Sequence, residues 1–488
     1  MLRSRVVKSI YPYLLAAGDL ALVLAGFLLA FCLRFFGPVP APNWESFLRV
    51  IPWVALTTIA LFAALGLYQL RRNGFASLLR SVVTGVSGVL VATMALTFWF
   101  RGFAFPRSVL LLAFPLQVAL VCAWRYLSWQ FERWLYGRRK LLVVGPAPEA
   151  AKVLGKLFDL PRGWFEVQRV LAPGELDALP SLLPRVDAVL VVPSLSREEK
   201  AVVLARCLHA RREAYLVPDL YDIMLSRSQM LQIDDLPVVE VQDIRLTWLQ
   251  QATKRALDLA LAGAGLLLGL PVLAACALAV AATSPGPVLY RQERVGYRGR
   301  LFLLYKFRTM VVGAEEATGP VLAGEKDSRV TRVGRFLRST RLDELPQLFN
   351  VLKGEMSVVG PRPERPFFVN QFTGEIPEYR YRHLVKPGLT GLAQVFGRYT
   401  TSAADKLRYD LYYIRNYSLW LDLKIILQTV PVALGGEGAR GQREEGTDPE
   451  KLSAIHALVN SGMVNCGVVE GARQAAAGKE GQDEAGFG

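Results

Sequence analysis

The residues best suited to chemistry lie in the stretch 338–364, where two carboxylates stand side by side among arginines. Asp343 and Glu344 are adjacent, and Arg338 and Arg362 flank them. Neighbouring carboxylates repel each other, so both ionise most easily beside a cation or a metal. A carboxylate that can attack, a second that can hold a metal and guanidinium groups that bind oxyanions are the equipment of phosphoryl transfer. The spacing alone also allows an ordinary charged helix end with structural ion pairs.

Several further motifs surround this stretch in a fixed order. They are Lys306-Phe-Arg-Thr-Met310, Val333-Gly-Arg-Phe-Leu-Arg338, Lys386-Pro-Gly-Leu-Thr-Gly391, Gly397-Arg398 and Asp410-Leu-Tyr-Tyr-Ile414. Together with the acidic pair they resemble the bacterial sugar transferase family, the monotopic polyprenyl-phosphate phosphoglycosyl transferases. The resemblance covers about residues 250–432, and so many ordered blocks indicate more than a chance match.

The resemblance implies a reaction in which a sugar 1-phosphate passes from a UDP-sugar to undecaprenyl phosphate. It implies that Asp343 is the catalytic nucleophile, which forms an acyl-phosphate intermediate, and that Glu344 binds Mg²⁺. The motifs of the family assign phosphate binding to Arg338, Arg362 and Arg398. The product would initiate an exopolysaccharide, a capsule, an O-antigen or a glycoprotein glycan. The sugar itself stays open among glucose, galactose and N-acetylated or diamino sugars.

Four more charged residues each allow two interpretations. Lys306 and Arg308 either hold the diphosphate of the donor or face lipid phosphates at the membrane surface. Glu355 and Asp410 are either catalytic acids or structural ones, as a helix cap and as half of a surface ion pair. The sequence does not decide between these alternatives.

The chain as a whole has the composition of a basic membrane protein. It contains 488 residues, of which 52% are hydrophobic, and its formal net charge is +15. This balance suits a lipid bilayer with anionic headgroups or a phosphorylated substrate. The cations lie beside apolar stretches without a nucleic-acid-binding fingerprint, so the sequence predicts no nucleic acid partner. The five cysteines lack the spacing of a zinc site or a disulfide framework, which indicates a reduced compartment.

Residues 1–135 predict a four-helix transmembrane bundle. The apolar stretches are residues 11–35, 47–70, 78–100 and 109–131, each close to the ~20 residues that cross a bilayer. Lysines and arginines concentrate before the first stretch, between the second and third, and after the fourth. The positive-inside rule therefore places the N-terminus and everything after residue 135 in the cytoplasm, as expected for a multi-pass protein of a bacterial plasma or inner membrane.

Residues 136–248 predict a Rossmann-like α/β domain. Strand and helix patterns alternate at 140–144, 150–158, 186–193, 198–211 and 214–218. The glycine fingerprint of a dinucleotide site is absent, because a proline, an alanine and a proline follow Gly145. The sequence therefore favours a structural or regulatory domain over a nicotinamide-dependent one.

The predicted catalytic domain, residues 249–434, is mainly α-helical and begins with the apolar stretch 259–282. This stretch is long enough to span a membrane once. Cations on both of its flanks favour instead a re-entrant helix that enters and leaves on the same side. Pro271 removes a backbone hydrogen bond near the middle and is expected at the bend. The resemblance implies the same re-entrant hairpin, and a fifth full span is the alternative.

The last segment, residues 435–488, is rich in glycine, alanine and charged residues and predicts a disordered tail. Two other classes of function fit the sequence less well than an enzyme. A transporter would need more polar groups in the centres of the spans and paired broken helices. An inactive scaffold or regulator of polysaccharide assembly would have lost the acidic pair or the arginines, and both are intact. Whether the chain forms a homodimer stays open.

Overall fold

The computed structural model describes residues 2–69, 75–100, 105–136, 139–158, 165–226, 228–241, 243–314, 327–397 and 401–435. For residues 2–9, 133–136 and 158 it describes the backbone alone. Two predictions lie outside these ranges. They are the phosphate-binding role of Arg398 and the disordered tail, of which only Gly435 is described.

Four long apolar helices form the N-terminal region. Their bounds are α1 Leu2–Phe35, α2 Ala41–Ala64, α3 Phe75–Trp99 and α4 Arg107–Tyr136. Each contains a segment long and apolar enough to cross a membrane, and these segments overlap the predicted spans, the second of which begins and ends six residues earlier than predicted. Phe27 and Phe31 of α1 pack against Phe47 of α2 and against Phe105. Buried packing of this kind is what holds helices together in lipid, where apolar surface alone supplies no driving force.

An α/β domain with a four-stranded parallel sheet follows the bundle. Its elements are β1 Arg139–Val144, α5 Ala147–Phe158, β2 Phe165–Leu171, α6 Leu179–Leu182, β3 Ala188–Val191, α7 Arg197–His209, β4 Glu213–Leu216 and α8 Leu220–Leu225. The strand order is β2-β1-β3-β4. Three of the four strands are those that the sequence predicts, and β2 is an additional one. The side chains of β1 from Leu141 onward are completely buried, as expected for a central parallel strand.

A two-stranded antiparallel hairpin connects this domain to the rest of the chain. It consists of β5 Gln229–Ile233 and β6 Leu236–Glu240, and Asp234 in its turn has a φ of 56°. Both strands are exposed almost throughout, including Met230 and Ile233.

A single helix, α9 Trp248–Thr283, occupies the region of the predicted re-entrant segment. Thr247 and Gln250 form a capping box that satisfies backbone groups at its start. Pro271 lies inside the helix, and the helix continues on both sides of it. A re-entrant course, which stays a prediction, would therefore bend the helix without unwinding it.

The remaining elements are mostly short helices, as the sequence predicts, with two small sheets among them. They are β7 Leu289–Val295, β8 Leu301–Phe307, α10 Arg332–Thr340, α11 Gln347–Lys353, β9 Ser357–Val359, α12 Pro366–Glu375, β10 Gly388–Thr390, α13 Leu392–Phe396, α14 Ala403–Arg415 and α15 Leu419–Gly435. Strands β7 and β8 form an antiparallel hairpin, and β9 pairs with β10 in parallel.

Helix α9 is fastened to these elements at both of its ends. Near the start, Asp258 accepts hydrogen bonds from the Ser357 hydroxyl and the Val358 amide, each at 2.9 Å. Near the end, Cys276 and Val280 pack into one apolar cluster with β8 and α10. The middle of α9 makes fewer such contacts, and several of its leucines are exposed.

Candidate active site

The acidic pair lies in a tight turn between α10 and α11. Helix α10 ends at Thr340, and the next residue, Arg341, has a left-handed backbone with a φ of 61°. A single 3₁₀ turn, Leu342–Glu344, then carries both carboxylates. A positive φ at a residue other than glycine is uncommon and costs conformational energy, and such positions concentrate at functional sites.

Asp343 is a buried carboxylate with an unused oxygen. Its residue is 8% exposed, and its Oδ1 has no hydrogen-bond partner among the described residues. Burial raises the pKa of Asp343, and the neighbouring charge of Glu344 raises it further. A buried oxygen without a partner is costly, so this atom is a candidate for contact with a substrate or a metal.

Glu344 is held ionised by two arginines. Its Oε1 lies 2.7 Å from Nη2 of Arg362 and 3.6 Å from Nη1 of Arg341. Burial acts to raise the pKa of Glu344, but the charge and hydrogen bond of Arg362 outweigh it and lower the pKa. The pKa values of the two adjacent acids are therefore shifted in opposite directions from their usual values. Such a pattern is typical of groups with different chemical roles.

Arg362 is positioned by a rigid turn that follows β9. The amide of Gly360 donates to the Thr390 carbonyl at 2.8 Å, and the amide of Gly388 donates to the Pro361 carbonyl at 2.9 Å. The two backbones approach so closely that a Cβ on Gly388 would lie 2.0 Å from the Gly360 nitrogen. Only glycine fits there, so the Lys386–Gly391 motif fixes the Arg362 turn against β10.

Lys306 lies beside the carboxylates on β8. Burial lowers its pKa to about 8, and the charges of Arg294 and Arg338 act in the same direction. The two carboxylates oppose this effect, as they would for a cation in their vicinity. The ammonium lies 5.0 Å from the centre of the Tyr290 ring, and it makes no hydrogen bond to any described residue. It is therefore a cation ready to bind an oxyanion.

Arg338 is the third cation of this group. It lies near the end of α10, and its Nε donates to the Thr309 hydroxyl at 2.9 Å. Its positive charge contributes to the lowered pKa of Lys306 and partly opposes the rise in the pKa of Asp343. The structure therefore brings Lys306, Arg338 and Arg362 together around the acidic pair.

Arg308 has a different position from these three cations. Its side chain is buried, and its two terminal nitrogens donate to the carbonyls of Ser284 and Pro285 at 2.6 and 2.8 Å. These contacts fasten the turn that leaves α9. A phosphate-binding role for Arg308 stays a prediction, but both of its terminal nitrogens already donate to carbonyls of this turn.

Comparison with known proteins places these residues in a recognised domain. The model of a family described as "Bacterial sugar transferase" matches residues 249–436. The UDP-N-acetylgalactosamine-undecaprenyl-phosphate N-acetylgalactosaminephosphotransferase of Aeromonas hydrophila is 34% identical over 432 residues, which cover 86% of this chain and 96% of that protein. The chain belongs to the bacterial sugar transferase family.

Two further relatives of the transferase carry a different sugar in their names. A UDP-glucose:undecaprenyl-phosphate glucose-1-phosphate transferase of Klebsiella pneumoniae is 36% identical over 352 residues, covering 68% of this chain and 75% of the relative. An enzyme of the same description from Caulobacter vibrioides is 47% identical over 191 residues, covering 38% of this chain and 71% of the relative. Relatives that differ in the named sugar leave the sugar of this transferase open.

The residues of the transferase around Asp343 fit a magnesium ion. Among the residues that the structure describes, no group of three or more histidine, cysteine or acidic side chains could hold a metal by itself. Mg²⁺ does not need such a group, because it is commonly bound by one or two carboxylates together with substrate phosphates. The ionised Glu344 would supply one such carboxylate, and donor phosphates would supply the other ligands.

Two arginines that sequence reasoning missed support the site from behind. Arg294 of β7 donates to the Pro363 carbonyl at 3.0 Å and to Gln292 at 2.6 Å. Arg382 donates to the Arg362 carbonyl at 3.0 Å. The sequence pattern could have indicated Arg294, because it lies four residues after Tyr290 and therefore on the same face of β7. Tyr290 pairs with Lys306 of β8. Nothing in the local sequence marks Arg382.

Proposed function

We propose that this transferase moves a sugar 1-phosphate from a UDP-sugar to undecaprenyl phosphate through a covalent intermediate on Asp343. The observation that carries the proposal is the buried, unpartnered Oδ1 of Asp343 beside an ionised Glu344 and three cations. The names of the relatives support the donor and acceptor, since they describe transfers from UDP-sugars to undecaprenyl phosphate.

In the first step an oxygen of Asp343 attacks the phosphorus that bears the sugar. A bond forms between the carboxylate and that phosphorus, and the bond to the UMP oxygen breaks, so UMP leaves with the electron pair. The attack requires the ionised form of Asp343, which the nearby cations favour against the effect of burial. The product is a mixed anhydride of Asp343 and the sugar phosphate.

In the second step a phosphate oxygen of undecaprenyl phosphate attacks the same phosphorus. The bond to Asp343 breaks, the carboxylate is restored and the lipid-linked sugar diphosphate is released. Lys306, Arg338, Arg362 and Arg398 bind the phosphate oxygens and stabilise the charge that they carry in both transition states. Mg²⁺ held by Glu344 would offset the remaining negative charge of the diphosphate.

The course of α9 supports an active site at the membrane surface. At a rise of about 1.5 Å per residue, a straight helix separates Asp258 from Val280 by about 33 Å, roughly the thickness of the hydrocarbon core. A spanning helix would place these two residues on opposite sides of the bilayer. Both nevertheless contact the part of the chain that carries the active site. These contacts support a re-entrant course with its bend at Pro271 over a fifth span, although α9 is itself long and apolar enough to cross a membrane.

A contact with α2 supports a cytoplasmic location for the active site. Gln428 of α15 donates to the Ala64 carbonyl at the end of α2, at 2.9 Å. The arginines that follow α2 place this end in the cytoplasm by the positive-inside rule. Helix α15 also joins the active-site region, because Thr429 pairs with Thr390 of β10 at 2.7 Å. The soluble donor would thus reach the enzyme from the cytoplasmic side of the inner membrane.

The product would initiate assembly of an exopolysaccharide, a capsule, an O-antigen or a glycoprotein glycan, because each of these is built on a lipid-linked first sugar. A homodimer is part of the proposal as well. The exposed apolar side chains of the β5–β6 hairpin support an interface there, and light scattering in detergent would measure the mass.

The test is release of UMP by membranes that contain the transferase, supplied with undecaprenyl phosphate, Mg²⁺ and a panel of UDP-sugars. We expect one donor or a small set to be used, and Asp343→Asn to abolish release. Asp234→Asn is the matched control, because it makes the same chemical change in the exposed hairpin turn and should leave release unchanged. Full activity of Asp343→Asn would refute the nucleophile, and no release with any donor would favour an inactive scaffold.

A further inference from the structure

A second acid–arginine pair lies behind the active site and is completely buried. Oδ2 of Asp410, on α14, lies 2.8 Å from Nη2 of Arg382, and the two side chains are 1% and 3% exposed. The other terminal nitrogen of Arg382 donates to the Tyr379 hydroxyl, and the guanidinium carbon lies 4.7 Å from the Tyr379 ring. Asp410 is therefore neither a helix cap nor half of a surface ion pair.

The pair connects to the proposed active site through the main chain of Arg362. Nη2 of Arg382 donates to the Arg362 carbonyl at 3.0 Å, and the Arg362 side chain in turn donates to Glu344 at 2.7 Å. The Arg362 side chain is 43% exposed, so surrounding atoms do not fix it by packing alone. Its direction depends on where the main chain at residue 362 is held.

Stability alone does not explain a buried pair at this position. Removing two charges from water costs free energy that their attraction often fails to recover, and well-packed apolar residues are frequently as stable. A guanidinium can do what an apolar side chain cannot, because it forms an ion pair with an acid while it donates hydrogen bonds to a hydroxyl and to a main-chain carbonyl.

We propose that Arg382 and Asp410 are positioning residues, which fix the main chain at Arg362 and so hold its guanidinium against Glu344 and the donor phosphates. Asp410 orients Arg382, and Arg382 holds the Arg362 carbonyl. Neither touches the reacting atoms. The inference rests on the proposed function, because it takes Arg362 as a phosphate-binding residue of that mechanism.

Substitutions of Arg382 or Asp410 should lower kcat because they displace Arg362. A displacement of about 1 Å in a group that stabilises the transition state can cost on the order of 100-fold in rate. Arg382→Lys and Asp410→Asn keep the side-chain volume but loosen the support, so we expect kcat to fall at least tenfold. Tyr379→Phe removes one hydrogen bond from Arg382 and is a milder variant that keeps the packing.

The test is a double-mutant cycle in purified full-length enzyme, with kcat for UMP release as the readout. If Arg382 acts through Arg362, then Arg382→Lys and Tyr379→Phe lower kcat in the wild-type background and change it little in the Arg362→Ala background. A merely structural pair would lower kcat by the same factor in both backgrounds, and that result would overturn the inference.

The control is an ion pair of the α/β domain, in which Nζ of the buried Lys200 lies 2.6 Å from Oδ2 of Asp219. The effect of Asp219→Asn on kcat should be independent of Arg362→Ala. Asp343→Asn run in parallel separates the two proposals. If that variant is inactive and the cycle is additive, the positioning inference alone fails, whereas an active Asp343→Asn ends the proposed mechanism.

Discussion

At the scale of single residues, the surroundings shift the pKa values of two neighbouring acids in opposite directions. Asp343 is made harder to ionise by burial and by Glu344, while Glu344 is made easier to ionise by Arg362. A nucleophile with a raised pKa is the stronger base, and an acid with a lowered pKa is a permanent anion for a metal or an arginine. In the proposed mechanism the first description applies to Asp343 and the second to Glu344.

This arrangement predicts the acid limb of the pH–rate profile. Attack requires ionised Asp343, so activity is lost as the pH falls through its pKa. Because that pKa is raised, kcat/KM should decline well above ~3.9, the usual value for an aspartate. The measurement is kcat/KM for the donor between pH 4 and 8. An acid limb at or below the usual aspartate value would contradict the environment described for Asp343.

Arg362 offers a second prediction at this scale. Arg362→Lys keeps the charge but loses the planar guanidinium that donates to Glu344 and, in the proposed mechanism, also binds phosphate. A charge-assisted hydrogen bond is worth about 1.5–3 kcal/mol, so kcat/KM should fall roughly 10–100-fold. Arg380→Lys, at an exposed position, is the control and should keep full activity. Equal activity of the two variants would remove Arg362 from the site.

The sequence was enough to predict the acidic pair and Arg362 as candidate site residues, but not Arg382, which holds the main chain behind them. Adjacent residues such as Asp343 and Glu344 are visible in a linear string, and the turn prolines mark Arg362. Arg382 stays hidden because its partners are a distant aspartate and a main-chain carbonyl, which leave no spacing to detect. Arg308 lies in a matching motif, yet its donors hold the turn after α9.

At the scale of elements, the β9–β10 pair sets the geometry of the Arg362 turn. Gly388→Ala would place a Cβ 2.0 Å from the Gly360 nitrogen, so the strands must separate and carry Arg362 with them. We expect a loss of stability of about 1–3 kcal/mol together with loss of activity. Thermal unfolding and UMP release measure the two effects.

Gly374→Ala is the matched control for that substitution. Nothing lies within 4 Å of its Cβ position, and it lies in α12, where alanine favours the helix over glycine by roughly 0.5–1 kcal/mol. The control should be neutral or slightly stabilising with full activity. A Gly388→Ala enzyme as stable and active as Gly374→Ala would refute the close approach of the two strands.

The longer elements could be predicted from the length and composition of their apolar runs, and the short ones could not. Long apolar stretches predict the four N-terminal helices and α9, and an unbroken apolar run predicts β1. Strand β2 mixes charged and apolar residues, which conceals it. Strands β9 and β10 have three residues each, too few for any pattern, and are made by tertiary contact.

At the scale of the whole molecule, the proposed topology assigns each segment to one side of the membrane. We expect a cysteine at Gly37, between the first two spans, to react with an impermeant maleimide in intact spheroplasts of a cysteine-free enzyme. Cysteines at Ala252, near the start of α9, and at Arg300, beyond its end, should react only after permeabilisation. Opposite accessibility of these two flanks would establish a fifth span and overturn the re-entrant course.

Orientation could be predicted from the sequence because it depends on counts of cations, which need no structure. The contact of Gln428 with the end of α2 could not, since it joins residues from opposite ends of the chain. It joins α15 to the end of α2, while the side of the membrane still rests on the count of cations.

The central claim is that Asp343 becomes transiently joined to the sugar phosphate, and intact-protein mass spectrometry tests it most directly. Purified enzyme is mixed with its UDP-sugar and Mg²⁺ without lipid acceptor, then digested to locate the modification. We expect an added sugar phosphate on the peptide that contains Asp343, which undecaprenyl phosphate removes and which Asp343→Asn does not form. Transfer without any adduct, or an adduct on another residue, would contradict it.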